Sequence, residues 1–391
     1  MFSIYFHVPF CLRRCHYCDF ITYAGQLDFL PGYVDAAVQE IRQLRLAAGN
    51  TATAADTVYF GGGTPSLMEA CQVGKLLEET RRTFGIRPTA EISLEANPGT
   101  LNPQKLNALR AVGVNRLSLG VQSFSDSELA LLGRIHSRQQ AEESIHWARE
   151  AGFDQLSLDL ILGLPGQTLE AWQETLQTAL SFMPEHLSVY SLIVEEGTPL
   201  EKQIASGALP EPDDDLAADM YELTRDLLAR AGYTQYEISS WALGEHCESR
   251  HNKAYWKTTP YLGIGAAAHS FAGGYRTENV PGIQDYIKRV QNWESGLAFP
   301  FSPANLNRAK VEPYTQMQES VLLGLRLTRE GVTLSEFARR FGQDARQVFA
   351  AEIKRLQEKQ LVEFAQFPDG EHLRLTQRGV LVGNQAFMEF V

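Results

Sequence analysis

The stretch SIYFHVPFCLRRCHYCDF, residues 3–20, decides how the rest of the chain is read. It opens on a strand-like run, Ser3-Ile4-Tyr5-Phe6-His7, and then places Cys11, Cys15 and Cys18 in the order C-x3-C-x2-C. A 4Fe-4S cluster offers four irons, and three thiolates from one tight loop hold three of them and leave the fourth open. Such an iron can be chelated by the amino and carboxylate groups of S-adenosylmethionine (SAM), which brings the sulfonium within reach of an electron. Two other readings compete: a zinc site that borrows a ligand from elsewhere, and thiols with no metal role. Zinc loops more often repeat C-x2-C pairs, which favours the cluster.

The rest of the composition agrees. Cys71 and Cys247 are far apart and read as buried or idle thiols, so a disulfide framework is excluded in a chain of 391 residues. The chain opens Met-Phe-Ser and enters a strand at once, without a charged leader and apolar core. No apolar run reaches the roughly 18 residues of a membrane span. The expectation is a cytoplasmic protein. A net charge of -12 argues against general binding of nucleic acid or anionic lipid, and 44% hydrophobic residues are ample for a large core.

Strand-like runs at 3–7, 57–60, 91–95, 116–120, 155–160 and 187–192 alternate with helical patterns, as in a parallel sheet covered by helices. Val34, Ala37, Val38, Ile41 and Leu44, for instance, place one apolar stripe on a crossover helix. The expected class is α/β, a partial (β/α)6 barrel followed by a smaller α+β domain. Reactive residues in such barrels gather where strands pass into loops. The cysteine loop follows the first strand and Gly61-Gly62-Gly63-Thr64-Pro65 the second; Glu95 and Asn97 lie at the third, Gln122 after the fourth and Asp159 within the fifth. A glycine loop lets backbone approach the methionine end of SAM, and carboxylates suit its ammonium or ribose hydroxyls; a tight turn and a salt bridge at the mouth are the plainer readings.

The C-x3-C-x2-C loop resembles that of the radical-SAM superfamily. Tyr5 before HVPFC, GGGTP, SLEANP, SLGVQSF, Arg134 in LLGRIH, and SLDLILGLPGQT together resemble one family within it, the oxygen-independent coproporphyrinogen III oxidases, over residues 3 to 275. The resemblance implies cluster ligation by Cys11, Cys15 and Cys18. It implies SAM contacts at Tyr5, Gly62, Gly63, Thr64, Glu95, Gln122, Arg134 and Asp159, and matches Tyr17 to an aromatic position that contacts a second SAM. A surface ion pair is the plainer reading of Arg134. His7 and His16 flank the loop, to tune a cluster or to cap turns.

One departure selects a branch. Porphyrinogen-oxidising members read C-x3-C-x2-C-x-C, whereas this chain has Phe20 at the last position, and from its short lead no arm is expected to cover a porphyrinogen. The sister branch with phenylalanine there comprises haem chaperones, and His251-Asn252-Lys253-Ala254-Tyr255-Trp256 resembles their H-N-x-x-Y-W motif. A neutral imidazole suits haem iron, and aromatic faces suit a macrocycle, so His251 is a candidate haem-iron ligand with Tyr255 and Trp256 beside it. Alone, a histidine among aromatics is more often a hydrogen-bonded, partly buried residue. His269 competes as a ligand, although its small neighbours suggest close barrel packing.

The function that follows is a haem chaperone that binds haem as cargo and delivers it to recipient haemoproteins, with a 4Fe-4S cluster and SAM. The alternative is a radical-SAM oxidoreductase that decarboxylates coproporphyrinogen III without oxygen, against which the absent fourth cysteine counts; no catalytic residue is assigned. The resemblance further implies a flavodoxin- or ferredoxin-type reductant and membrane-associated apo-haemoproteins as acceptors, and it allows a homodimer.

Residues 1–280 are expected to form the barrel with its cluster, SAM and haem regions, 281–312 a linker, and 313–391 a compact domain. Within the last, Glu319 to Leu327 and Val348 to Leu356 read as helices and Thr333 with Glu336 as a capping box opening a helix between them. Leu361 to Phe367 and Leu373 to Leu375 read as a hairpin around Pro368-Asp369-Gly370, before a last helix opened by Thr376. That outline is winged-helix-like. Ten Lys or Arg against ten Asp or Glu over 313–391 leave no electrostatic footprint for nucleic acid, so a lid or protein-docking module is expected, not a DNA-binding regulator.

Overall fold

A computed structural model describes residues 1–49, 53–293 and 296–391. They form two compact units, Met1–Leu227 with Pro260–Ala309, and Leu228–Thr259 with Lys310–Val391. Each is described separately.

The first unit is built on six parallel strands, β1 (Ser3–Val8), β2 (Ala55–Gly62), β3 (Ile86–Ala96), β4 (Arg116–Gln122), β5 (Leu156–Leu162) and β6 (His186–Ser191). They lie side by side in chain order. Each run located from sequence falls on one of them. Both faces of such a sheet are covered, which is why β5 reads LSLDLIL, a nearly unbroken apolar run that is buried apart from Asp159. The helix Leu30–Ala48 closes the first crossover and buries the stripe Val34, Ala37, Val38, Ile41 and Leu44. Asn102 caps the helix Pro103–Val112 by accepting from the Lys105 amide at 2.8 Å, and Gly113 ends it in the left-handed region. This is the expected partial (β/α)6 barrel.

Sequence reading missed how the sheet continues beyond β1. Tyr261–Ile264 pairs with β1 in parallel, and His269–Ala272 and Tyr275–Asn279 follow antiparallel. A buried carboxylate on the crossover helix helps tie in this region. Glu40 accepts from the Gly265 amide at 3.0 Å, Asn279 Nδ2 at 2.9 Å, Tyr286 Oη at 2.7 Å and Ser302 Oγ at 2.6 Å. Burial pushes its pKa up, and those four donors oppose the rise. Ala266, Ala267, Ala268 and Ser270 are buried, in line with the close packing expected around His269, while His269 itself is exposed.

The second unit contains a hairpin, Thr234–Glu237 with Ser240–Ala242, and the helix Arg250–Trp256. It also holds the helices Pro313–Gly324, Leu334–Phe341 and Ala350–Glu358, beside a small sheet of Val332–Thr333, Gly370–Leu375 and Val362–Phe367. The winged-helix-like outline is present, with three differences in detail. The first helix starts at Pro313, where proline suits the opening turn. Thr333 stands at the N-cap of the next but makes no side-chain capping bond, and it is also paired in the sheet with His372. The third helix is broken at Phe349, a 1% exposed ring that packs edge-on against Phe390. Thr376 does open the last helix, accepting from Gly379 at 2.9 Å.

Two boundaries differ from expectation. The span 281–312 carries the helix Ile283–Gln291 and the strand Asn305–Lys310, and Leu228–Thr259, placed by sequence in the barrel domain, groups with the C-terminal residues. No helix among the described residues is long and apolar enough to cross a membrane.

Candidate functional site

The C-terminal ends of β1 to β6 surround a cavity of about 410 Å³. Cys11, Cys15, Cys18, Tyr17, Gly62, Gly63, Thr64, Glu95, Gln122, Arg134 and Asp159 all line it. Eleven of the residues singled out from sequence, drawn from five strand-to-loop junctions, therefore meet in one place.

Backbone bonds hold the cysteine loop. The His16 amide donates to Leu132 O at 2.9 Å, its carbonyl accepts from Leu200 N at 2.9 Å, and Tyr23 N donates to Pro9 O at 2.7 Å. His16 Nδ1 donates to Leu131 O at 2.9 Å, which makes it a turn-holding residue. Arg13 adds bonds to the carbonyls of Gly133 and Arg134 at 2.7 and 2.8 Å. The loop keeps Cys11 buried and Cys15 and Cys18 half-buried, and burial pushes the thiols of Cys11 and Cys18 up. Coordination to iron would offset that burial, since it holds the thiolate form.

The glycine loop passes close above. A Cβ on Gly63 would meet Phe10 O at 2.7 Å and Cys11 Sγ at 3.0 Å, so only glycine admits the thiol there. Thr64 Oγ1 stands 3.6 Å from the same sulfur. Tyr5 does not line the cavity; its ring lies against Gly61, and its hydroxyl meets His7 Nδ1 at 3.0 Å. His7 Nε2 bonds Ile21 O at 3.2 Å, so Nε2 carries the proton and the Tyr5 hydroxyl donates to Nδ1.

The floor carries charge of both signs. Glu95 accepts from Tyr59 Oη at 2.8 Å and from the Gly62 amide at 3.1 Å, yet burial pushes its pKa up to about 7. Asp159 accepts from Ser118 Oγ at 3.0 Å and Ser157 Oγ at 3.3 Å, and burial raises it too. Gln122 ends β4 with φ of 68°, beside a register shift against β5. Backbone strain of that kind re-aims side chains at functional sites. Arg134 donates Nη2 to Gly120 O at 2.6 Å and Nη1 to Cys15 Sγ at 3.4 Å, while its buried Nε has no protein partner.

These donors fit the two groups that sequence implied. Half-buried carboxyls that would ionise beside a cation, and a half-buried guanidinium with a spare donor, suit the ammonium and carboxylate of one zwitterionic ligand. Three thiols facing one cavity suit a multi-iron cluster met at separate corners. Among the described residues no three His, Cys, Asp or Glu side chains converge as on a single ion.

His251, Tyr255 and Trp256 lie on the helix Arg250–Trp256 in the second unit. His251 is 1% exposed, its Nε2 lies 3.0 Å from Tyr255 Oη, and burial lowers its pKa to about 3. Sequence reasoning missed Tyr59, Ser118 and Ser157, which position the two carboxylates. Their signal was register: Tyr59 pairs with Tyr5, and Ser118 pairs with both Glu95 and Ser157.

The pattern of the Radical SAM superfamily matches residues 5–179, and that of the HemN C-terminal domain matches residues 311–382. The chain is 39% identical to the heme chaperone HemW of Bacillus subtilis, over 100% of this chain and 99% of that protein. It is 37% identical to the heme chaperone HemW of Mycobacterium tuberculosis, over 98% and 93%. The chain belongs to the HemW family of radical-SAM proteins. A mouse relative, radical S-adenosyl methionine domain-containing protein 1, mitochondrial, is 42% identical over 85% of this chain and 74% of its own length. The coproporphyrinogen III oxidase HemN of Escherichia coli, a radical SAM enzyme, superimposes with a TM-score of 0.82 over 100% of this chain and 89% of its own, at 24% identity. That likeness shows a shared fold.

Proposed function

We propose that this chain is a haem chaperone, which binds haem and passes it to recipient apo-haemoproteins. The observation that carries the reading is the end-to-end match to a relative named for that role. Phe20 supports it, since it stands where a porphyrinogen-oxidising relative is expected to carry a cysteine.

In this proposal Cys11, Cys15 and Cys18 hold a 4Fe-4S cluster, with SAM beside it in the cavity. When bound, the pair supplies one-electron chemistry at the sulfonium. The chain's own residues do the positioning. Gly62 and Gly63 let backbone approach the ligand, Glu95 and Asp159 take its ammonium or ribose hydroxyls, and Arg134 Nε and Gln122 take its carboxylate. Tyr5 orders the glycine loop from below, and Tyr17 covers the cluster side. A flavodoxin- or ferredoxin-type protein is the proposed electron donor, and membrane-associated apo-haemoproteins the proposed acceptors. His251 is proposed as a haem-iron ligand with Tyr255 and Trp256 against the macrocycle, which requires the helix Arg250–Trp256 to open, because Nε2 is 3.0 Å from Tyr255 Oη.

The test uses reconstituted protein handled without air. Haemin is titrated while the Soret band is followed, and coproporphyrinogen III with SAM and a reductant is assayed for decarboxylated product. Haemin binding without such product is expected. Vinyl-bearing product would establish the oxidase instead. His251→Ala with unchanged binding would remove that ligand alone.

A further inference from the structure

Arg134 is not the only side chain of LLGRIH that reaches the strand ends. His136 is 4% exposed, and its ring spans two of them. Nε2 donates to Val121 O in β4 at 3.1 Å, and Nδ1 lies 3.0 Å from Asn97 Oδ1, one residue past β3. A carbonyl only accepts, so Nε2 carries a proton. Burial, with the Arg134 charge nearby, lowers the pKa of the ring to about 4, which keeps it neutral at neutral pH. Nδ1 is then an acceptor, met by Asn97 with its amide turned to present nitrogen.

The carbonyl that His136 holds belongs to a strained turn. The Ser123 amide donates to the same Val121 O at 2.9 Å, and between them Gln122 has φ of 68°. A three-residue turn with its centre in the left-handed region is rare, and it is costly for a residue with a side chain. Arg134 grips the carbonyl one residue earlier, Gly120 O, at 2.6 Å. A Cβ on Gly120 would meet Gln122 Nε2 at 3.0 Å and Arg134 Nη2 at 3.2 Å, so those two side chains converge above it. Consecutive carbonyls at the end of β4 are thus clamped by Arg134 and His136, and the turn they fix aims Gln122 at the cavity that Asn97, Gln122 and Arg134 line. Strain of this kind persists only where surrounding contacts over-determine it.

We infer that His136 is a positioning residue for SAM: its bond to Val121 O holds the Gln122 turn, and through that turn the Gln122 amide beside Arg134. This rests on the reading of the cavity as a SAM site. His136 is not one of the residues that line the cavity, so it acts through Gln122 and not by contact with the ligand. Glutamine at 136 could still supply a donor to Val121 O, whereas phenylalanine fills the space of the ring and donates nothing.

The experiment measures SAM binding to the full-length reconstituted protein without air, by equilibrium dialysis, for wild type, His136→Gln, His136→Phe, Gln122→Gly and the pair Gln122→Gly/His136→Phe. His136→Phe is expected to raise Kd about tenfold and His136→Gln less than about threefold, with iron and sulfide unchanged in both. Gln122→Gly is expected to raise it about tenfold as well. The pair should then be weaker by no more than about a further twofold, since glycine takes φ of 68° without strain and leaves His136 nothing to position. Unchanged Kd in His136→Phe overturns the inference, as does His136→Gln binding no tighter than His136→Phe. A pair about a hundredfold weaker than wild type also overturns it, because two independent losses multiply. Should His136→Phe fail to fold, the pair carries the test: folding restored by glycine at 122 supports the clamp, and a pair that fails as well overturns it. Wild type that holds its cluster and binds no SAM overturns the SAM reading of the cavity itself, and this inference with it.

Discussion

At the scale of single residues, Glu95 shows how the site stores charge. Its two oxygens are taken by Tyr59 and the Gly62 amide, but burial, with Asp159 nearby, still moves its pKa from 4.5 to about 7. The folded chain therefore keeps a proton that the unfolded chain has lost, and stability falls as pH rises from about 4.5 to about 7. A shift of that size corresponds to about 3 kcal/mol. Glu95→Gln cannot ionise, so its denaturant-derived stability should fall less between pH 5 and pH 7.5 than that of wild type, by roughly that amount. Equal pH slopes for both proteins would mean that Glu95 is ionised in the folded state. A cation in the cavity would act in the same direction as rising pH, which predicts that SAM binds Glu95-containing protein more tightly above pH 7 than below it.

At the scale of elements, the six strands were legible because a sheet covered on both faces imposes short, continuous apolar runs, as in β5. The capping box was not, because Thr333 is both the N-cap and a strand end, and residue type alone does not aim its hydroxyl at the helix amides. Nor could sequence place Leu228–Thr259 with the C-terminal residues, since long-range contacts settle that. Within that unit the helix Arg250–Trp256 is held by ions. Lys253 bonds Glu248 at 2.5 Å and Glu330 at 3.1 Å, Lys257 bonds Glu330 at 3.0 Å, and Arg329 bonds Glu248 at 3.0 Å. Burial opposes ionisation of Glu330, but Lys257 and Lys253 outweigh it and hold its pKa down. Glu330→Gln leaves both lysines short of a partner and should cost about 1–2 kcal/mol, between an exposed pair and a buried one. Amide exchange across 250–259 should then quicken about five- to thirtyfold, with the hairpin Val362–Phe367 and Gly370–Leu375 unchanged. Uniform acceleration across the unit would show that Glu330 stabilises the unit as a whole and does not latch this helix.

At the scale of the molecule, the question is whether the cluster builds the fold or is housed by it. Small metal-stapled domains lack a core and unfold when the metal leaves. Here the cysteine loop is tied down by bonds other than those of its thiols, from His16 to Leu131 and Leu132, Arg13 to Gly133, Leu200 to His16, and the short pairing of Phe10 and Cys11 with Tyr23 and Ala24. The barrel beneath has its own anchor in Glu40, whose four donors come from chain segments up to 262 residues away. Neither feature was legible in the cysteine spacing, which encodes the ligands and not what supports them. Anaerobically reconstituted protein stripped of iron by an oxidant and chelator should keep its far-UV circular dichroism and melt cooperatively, with a melting temperature lower by no more than about 10 °C. The triple variant Cys11→Ala, Cys15→Ala and Cys18→Ala should fold likewise and bind no iron. Collapse of either to an unfolded chain would mean that the hydrogen bonds around His16 form only once the thiols are held, and the loop would then be a consequence of the cluster instead of its mould.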